Sequence, residues 1–247
     1  MTATSFTCAD YAALLDAIGA GGYAYEKFET DDGRPGVVLL RHDIDKSVTL
    51  ALRMARMEAE RGVRANYFFL LRSRLYSLLE PESILAVREI ASLGHSVGLH
   101  CDAGRLPGPP PADLDALDGR ILAELRLFEE VLDLASGKAV TFHNPPGGLV
   151  QREPSLPGYL SGYAPRFMLP RTKYISDSNA NWREGDPRPS LAAAVWPRVQ
   201  ILVHPLWWMN EAPLPALAVL RQVLDDRGKE ADAYLRKSNA LWEKQGA

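Results

Sequence analysis

Short apolar runs rich in branched and aromatic residues alternate with helical patterns through the first two thirds of this chain, and each run ends in His, Asp or Asn. Such alternation is the mark of βα units laid around a parallel sheet or barrel. Gly36-Val37-Val38-Leu39-Leu40 reads as a buried strand, after which Val48, Leu52, Ala55 and Ala59 recur at helical spacing until Gly62. Residues 65–71 form the second expected strand. Its helix carries Ile84, Val87, Ile90 and Leu93 on one stripe, and Gly94 suits the position just past a helix end. Ser96-Val97-Gly98-Leu99 is the third strand. The next helix places Leu114, Leu117, Ile121, Leu125, Phe128 and Leu132 on one face, with Gly137 beyond it.

Further strands are expected at 139–142, 173–176 and 199–203. Segment 144–170 is rich in Pro and Gly and lacks periodicity, so it is expected to be a functional loop over the site. Residues 214–244 read as helical, broken near Gly228. With no repeat or linker, residues 1–247 read as one domain.

Composition removes several function classes. The chain has 28 Lys+Arg against 31 Asp+Glu and no block of like charge, so it offers no footprint for nucleic acid. No apolar run approaches the roughly 20 residues of a membrane helix. The amino terminus has neither a basic start nor an apolar core, which makes a cytoplasmic location the expectation. Cys8 and Cys101 form no paired motif and read as buried thiols.

Polar residues arrive where the apolar runs stop: Arg41-His42-Asp43-Ile44-Asp45, His100-Cys101-Asp102, His143-Asn144, Asp177-Ser178-Asn179 and His204. In parallel α/β folds these strand ends gather at one face, where rigid strands fix catalytic groups. Four of the five histidines stand there, while His95 opens its strand. Asp43 and Asp45 are two residues apart, so an extended backbone points both carboxylates to one side. A divalent cation with imidazole and oxygen ligands relieves their repulsion and suits zinc, the first choice, or another transition metal. His95 and His100 differ by an odd number and point to opposite faces, which makes His100 the ligand and His95 structural. Asp45 or Ser47 is also placed to cap the following helix. His42 reads as a hydrogen-bonded neighbour. Trp182, Trp207 and Trp208 suit either core packing or a platform for sugar faces.

At these residues the chain resembles the polysaccharide deacetylase superfamily, the NodB-like or family-four carbohydrate esterases, and especially its divergent members in surface-glycan biosynthesis. The His42-Asp43-Ile44-Asp45 run is similar to the family's first motif, and Ala65-Asn66-Tyr67-Phe68-Phe69 to its second strand. Gly94-His95-Ser96-Val97-Gly98-Leu99-His100 looks like the segment ending in the first metal histidine. Phe142-His143-Asn144-Pro145-Pro146 resembles the third motif, Asp177 with Trp182 the fourth, and Ile201-Leu202-Val203-His204 the fifth. The resemblance implies a distorted, TIM-like (β/α)7 barrel and a hydrolase that removes an acetyl group from an N-acetylated sugar or glycan precursor. It further implies Asp43 as general base, His204 as catalytic acid, and Asp45 and His100 as metal ligands. Asn144, Asp177, Trp182, Arg183 and Trp207 are expected at the substrate.

Three departures accompany the resemblance. A second metal histidine usually follows four residues after the first, and here Gly104 stands there, leaving His143 or Asp102 as third ligand. An arginine usually orients the catalytic aspartate from the third motif, where this chain has Asn144; Arg41 or Arg183 are the substitutes. The usually adjacent aspartates are separated by Ile44, which leaves open which is base and which is ligand. Two rival functions stay in view: another C–N hydrolase acting on a small amide, and a non-catalytic glycan-binding protein on the same fold.

Overall fold

The computed structural model describes residues 6–145, 148–239 and 242; Pro146 of the third motif and most of the expected helical tail beyond residue 239 lie outside them. In chain order the elements are α1 (Cys8–Ala20), β1 (Ala24–Tyr25), β2 (Val37–Ile44), α2 (Val48–Glu60), β3 (Asn66–Leu70), α3 (Pro81–Ser92), β4 (Ser96–Cys101), α4 (Leu114–Leu132) and β5 (Ala139–Phe142). They continue with β6 (Leu160–Ser161), β7 (Lys173–Ser176), α5 (Arg188–Ala192), β8 (Arg198–Val203), α6 (Pro205–Trp208) and α7 (Ala216–Ser238). All strand pairs are parallel, in the order β6-β5-β4-β3-β2-β8-β7, with β1 added beside the start of β2. The result is the distorted seven-stranded (β/α) barrel, left open between β6 and β7 among the described residues.

β2 is central and wholly buried, which its apolar run foreshadows. Its odd-numbered residues Leu39, Arg41 and Asp43 face the barrel interior, and its even-numbered residues face the helices. The lower interior is apolar, built from Phe28, Leu39, Phe68, Ala139, Ala164 and Phe167. Gly98 makes room for Phe68, because a Cβ there would sit 2.5 Å from the Ala139 carbonyl oxygen and 2.6 Å from the Phe68 ring. Above this plug the interior turns polar, and the strands end at the site.

Helix signals explain the boundaries. The Ser47 hydroxyl accepts from Leu50 N–H at the start of α2, so the cap falls to Ser47 and Asp45 is left to the site. Asp113 caps α4 in the same way. α1 is additional to the expected elements, and Tyr11, Leu14, Leu15 and Ile18, which recur at helical spacing, are its buried face. The expected break at Gly228 does not occur: α7 runs through it. One glycine costs about 1 kcal/mol in a helix, and the pairs Arg227–Glu230, Asp226–Lys229 and Asp232–Arg236 flank it.

Segment 144–170 also differs from expectation. Rather than lying wholly over the site, its later part fills the open seam of the barrel, where Gln200 Nε2 donates to the carbonyls of Gly162 (3.1 Å) and Phe167 (2.8 Å). Its middle is tied to α4, where Arg152, Ser155 and Tyr159 all bond the buried Asp118 carboxylate. Among the described residues no helix is long and apolar enough to cross a membrane.

Candidate active site

Asp45 lies one residue past β2, His100 near the end of β4 and His143 one residue past β5. One ligand atom from each lies within 4.8 Å of the others, a spacing able to hold a divalent ion. Asp45 Oδ1 is 3.3 Å from His100 Nε2 and 3.1 Å from His143 Nδ1. Neither approach has hydrogen-bond geometry, so this buried oxygen has no hydrogen-bond partner. Burial would raise the Asp45 pKa, but the adjoining imidazoles of His100 and His143 outweigh it and hold the group ionised. Of the two alternatives for third ligand, His143 is in the cluster and Asp102 is not. β4 ends at Cys101, and from Asp102 the chain turns into a short 3-10 turn at Ala103–Arg105.

Asp43 sits deeper, 2% exposed. Arg41, fully buried two residues earlier, donates to it through Nε (2.9 Å) and a terminal nitrogen (2.6 Å). Of the two candidate arginines, Arg41 therefore orients this carboxylate. The guanidinium is held in turn by Gln200 (3.0 Å) and the Tyr163 hydroxyl (2.9 Å), with the Tyr163 ring centred 4.5 Å away. Burial would raise the Asp43 pKa; the Arg41 charge, with His100 behind it, lowers it below the ordinary carboxylate range.

His204 follows β8. Its Nδ1 lies 2.6 Å from Asp177 Oδ1, and its own backbone N–H donates to Oδ2 at 2.9 Å. Trp208 Nε1 donates to the same Oδ2 at 2.7 Å. Burial would lower the His204 pKa, but Asp177 foremost, then Asp45 and Asp43, raise it to about 9. His204 Nε2 is on the side of Asp45, 3.9 Å from Oδ2. Asp177, expected at the substrate, is instead fully buried, with both oxygens used on His204 and Trp208.

These groups open into one pocket of about 870 Å³. Phe142, Tyr163, Tyr174, Trp182, Trp196 and Trp207 supply its aromatic lining, and Asn144 and Arg183 also border it. Asn144 adopts a left-handed backbone (φ 47°), a conformation asparagine tolerates better than most residues. Trp208 is no wall residue: it packs against Phe6 and Tyr11 in the core. Sequence reasoning missed Tyr163, Tyr174 and Trp196, since the first lies in an aperiodic segment and no pattern separates the others from packing residues. His42 and His95 face outward, as expected of structural histidines. His42 Nε2 is 2.8 Å from the buried Glu58 carboxylate, and His95 accepts from Ala65 N–H at 3.1 Å.

Fold and site together define a parallel (β/α) barrel whose strand ends converge on a candidate metal centre with a flanking carboxylate and imidazole. Against known proteins, no family model and no curated sequence matches the chain. Among solved structures it is similar to the chitin deacetylase of Colletotrichum lindemuthianum, at 16% identity and a TM-score of 0.44 over 79% of this chain and 84% of that one. It is similar also to the catalytic domain of a peptidoglycan N-acetylglucosamine deacetylase from Eubacterium rectale, at 13% identity and 0.43 over 81% and 87%. A family 4 acetyl xylan esterase from Clostridium thermocellum, in complex with a cobalt ion, matches at 17% identity and 0.40 over 77% and 84%. The barrel itself stands on its strand order and register.

Proposed function

We propose that this chain is a metal-dependent hydrolase that removes the acetyl group from an N-acetylated sugar or glycan precursor. The donor set fits a metal: Asp45 Oδ1 is buried without a hydrogen-bond partner, and two imidazole nitrogens stand beside it. Two nitrogens and one carboxylate oxygen suit zinc or a similar transition ion. Asp45, His100 and His143 would hold it. When bound, such an ion supplies Lewis acidity to an acyl carbonyl and to water.

The observation that carries the reading is the fixed pairing of the two groups flanking the cluster, Asp43 with Arg41 at 2.9 and 2.6 Å and His204 Nδ1 with Asp177 at 2.6 Å. Asp43 is held ionised by Arg41, and His204 is held protonated to about pH 9 by Asp177. At neutral pH one is ready to accept a proton and the other to give one. Asp43 takes the proton of the attacking water, and His204 protonates the departing amine nitrogen as the C–N bond breaks. Both groups come from neighbouring strands, β2 and β8, whose ladder fixes their spacing. Trp182 and Trp207 offer apolar faces suited to sugar rings, with Asn144 and Arg183 as polar contacts at the border.

The test is acetate release from a panel of N-acetylated sugars and short oligosaccharides, before chelation, after it, and after adding zinc or cobalt back. Release that stops on chelation and returns with metal supports the reading. A panel of small cyclic and linear amides run alongside separates sugar deacetylation from the hydrolysis of other amides.

A further inference from the structure

Thr141, fully buried on β5, stands between the candidate metal ligand His100 and the candidate base Asp43. The register places His100 and Thr141 side by side across the β4–β5 pair. His100 Nδ1 is 2.7 Å from Thr141 Oγ1, and Thr141 Oγ1 donates to Asp43 Oδ1 at 3.3 Å. Nothing in the proposed reaction uses this hydroxyl.

The direction of the two hydrogen bonds follows from what each group is able to donate. Asp43, paired through two nitrogens with Arg41, is a carboxylate and only accepts. The Thr141–Asp43 bond forms only with the single hydroxyl proton of Thr141 directed to Asp43, which leaves Oγ1 as acceptor toward the ring. His100 must then carry its proton on Nδ1, and Nε2 presents a lone pair toward Asp45 Oδ1, 3.3 Å away.

We propose that Thr141 is a positioning residue that fixes the Nδ1–H tautomer of His100 and so holds Nε2 ready as a metal ligand, while tying that ligand to the carboxylate of Asp43. The proposal rests on the reading of Asp45, His100 and His143 as metal ligands. A metal-bound imidazole whose other nitrogen donates to a fixed acceptor is better oriented, and losing such a partner costs roughly 10–100-fold in affinity. Valine matches the shape of threonine without an acceptor, and serine keeps the hydroxyl.

The experiment reads the tautomer directly. Metal-free protein labelled with ¹⁵N in its histidines is examined by long-range ¹H–¹⁵N correlation at a pH where the His100 ring is neutral, with His100→Gln to assign the signals. Zinc affinity is measured by competition with a chelating dye in wild type, Thr141→Val and Thr141→Ser. Expected are a protonated Nδ1 in wild type, loss of that preference with roughly 10–100-fold weaker zinc binding in Thr141→Val, and recovery of both in Thr141→Ser. A wild-type ring protonated on Nε2, or on both nitrogens throughout, overturns the proposal even if Thr141→Val fails to fold. So does a Thr141→Val protein with the wild-type tautomer and affinity. Neither readout depends on turnover, so an Nδ1–H ring in a protein that releases no acetate refutes the proposed reaction and leaves the relay standing.

Discussion

Arg41 and Asp43, two residues apart on one strand, meet through a two-point ion pair of 2.9 and 2.6 Å inside the barrel. The pleat brings both to the same face, and the pair lies beneath the candidate metal-ligand cluster. Removing the cation alone leaves a buried carboxylate unpaired, which costs about 3–5 kcal/mol. Arg41→Met should lose stability on that scale in urea denaturation of the metal-free protein, and Arg41→Met with Asp43→Asn should regain much of it. A single variant as stable as wild type would show that the pair does not hold the Asp43 carboxylate in place.

Gly98 sets the depth at which the polar layer begins. Its absent Cβ is the space that the Phe68 ring and the Ala139 carbonyl occupy. Gly98→Ala should destabilise by about 1–3 kcal/mol through overpacking, read as a lower thermal midpoint. Paired with Phe68→Leu, which shortens the obstructing side chain, part of that loss should return.

The pH dependence of stability follows from His204. Its folded pKa of about 9 lies above the ordinary value of 6.5. The stabilisation is thus complete below about pH 6.5 and is lost as pH rises through about 9. With the side chain 15% exposed, the shift corresponds to something of order 3 kcal/mol. Denaturation of the metal-free protein between those limits should show this decline in wild type and a much flatter profile in His204→Gln. Equal slopes would mean that Asp177 does not stabilise the charged ring.

Ligands should separate from acid and base. Asp45→Asn and His100→Ala should lose metal and activity together. His204→Ala and Asp43→Asn should keep most of the metal while turnover falls roughly 10²–10⁴-fold. Metal lost in all four would make Asp43 and His204 ligands as well, whereas unchanged turnover in His204→Ala would remove it from the reaction.

The fold was legible where burial forces an unambiguous pattern. β2 and β8 are apolar runs, and the polar residues at their ends announced the site. Placement of Asp43, Asp45, His100, His143 and His204 at one mouth follows from strand ends alone. Less legible were relations made by neighbours in space. Asp177 ends a strand like the others, and only the fold shows its carboxylate turned inward to His204 and Trp208. Tyr163 belongs to a segment without periodicity and reaches Arg41 because that segment fills the seam of an open barrel. β1 and β6, two residues each, are too short to show alternation.

The most direct measurement is acetate release by metal-loaded protein, with metal content determined on the same preparation. The account predicts about one transition metal per chain and acetate release from an N-acetylated sugar that stops on chelation and is restored by metal. Protein that holds its metal yet releases no acetate from any such substrate, or that releases it as fast after the metal is removed, contradicts it.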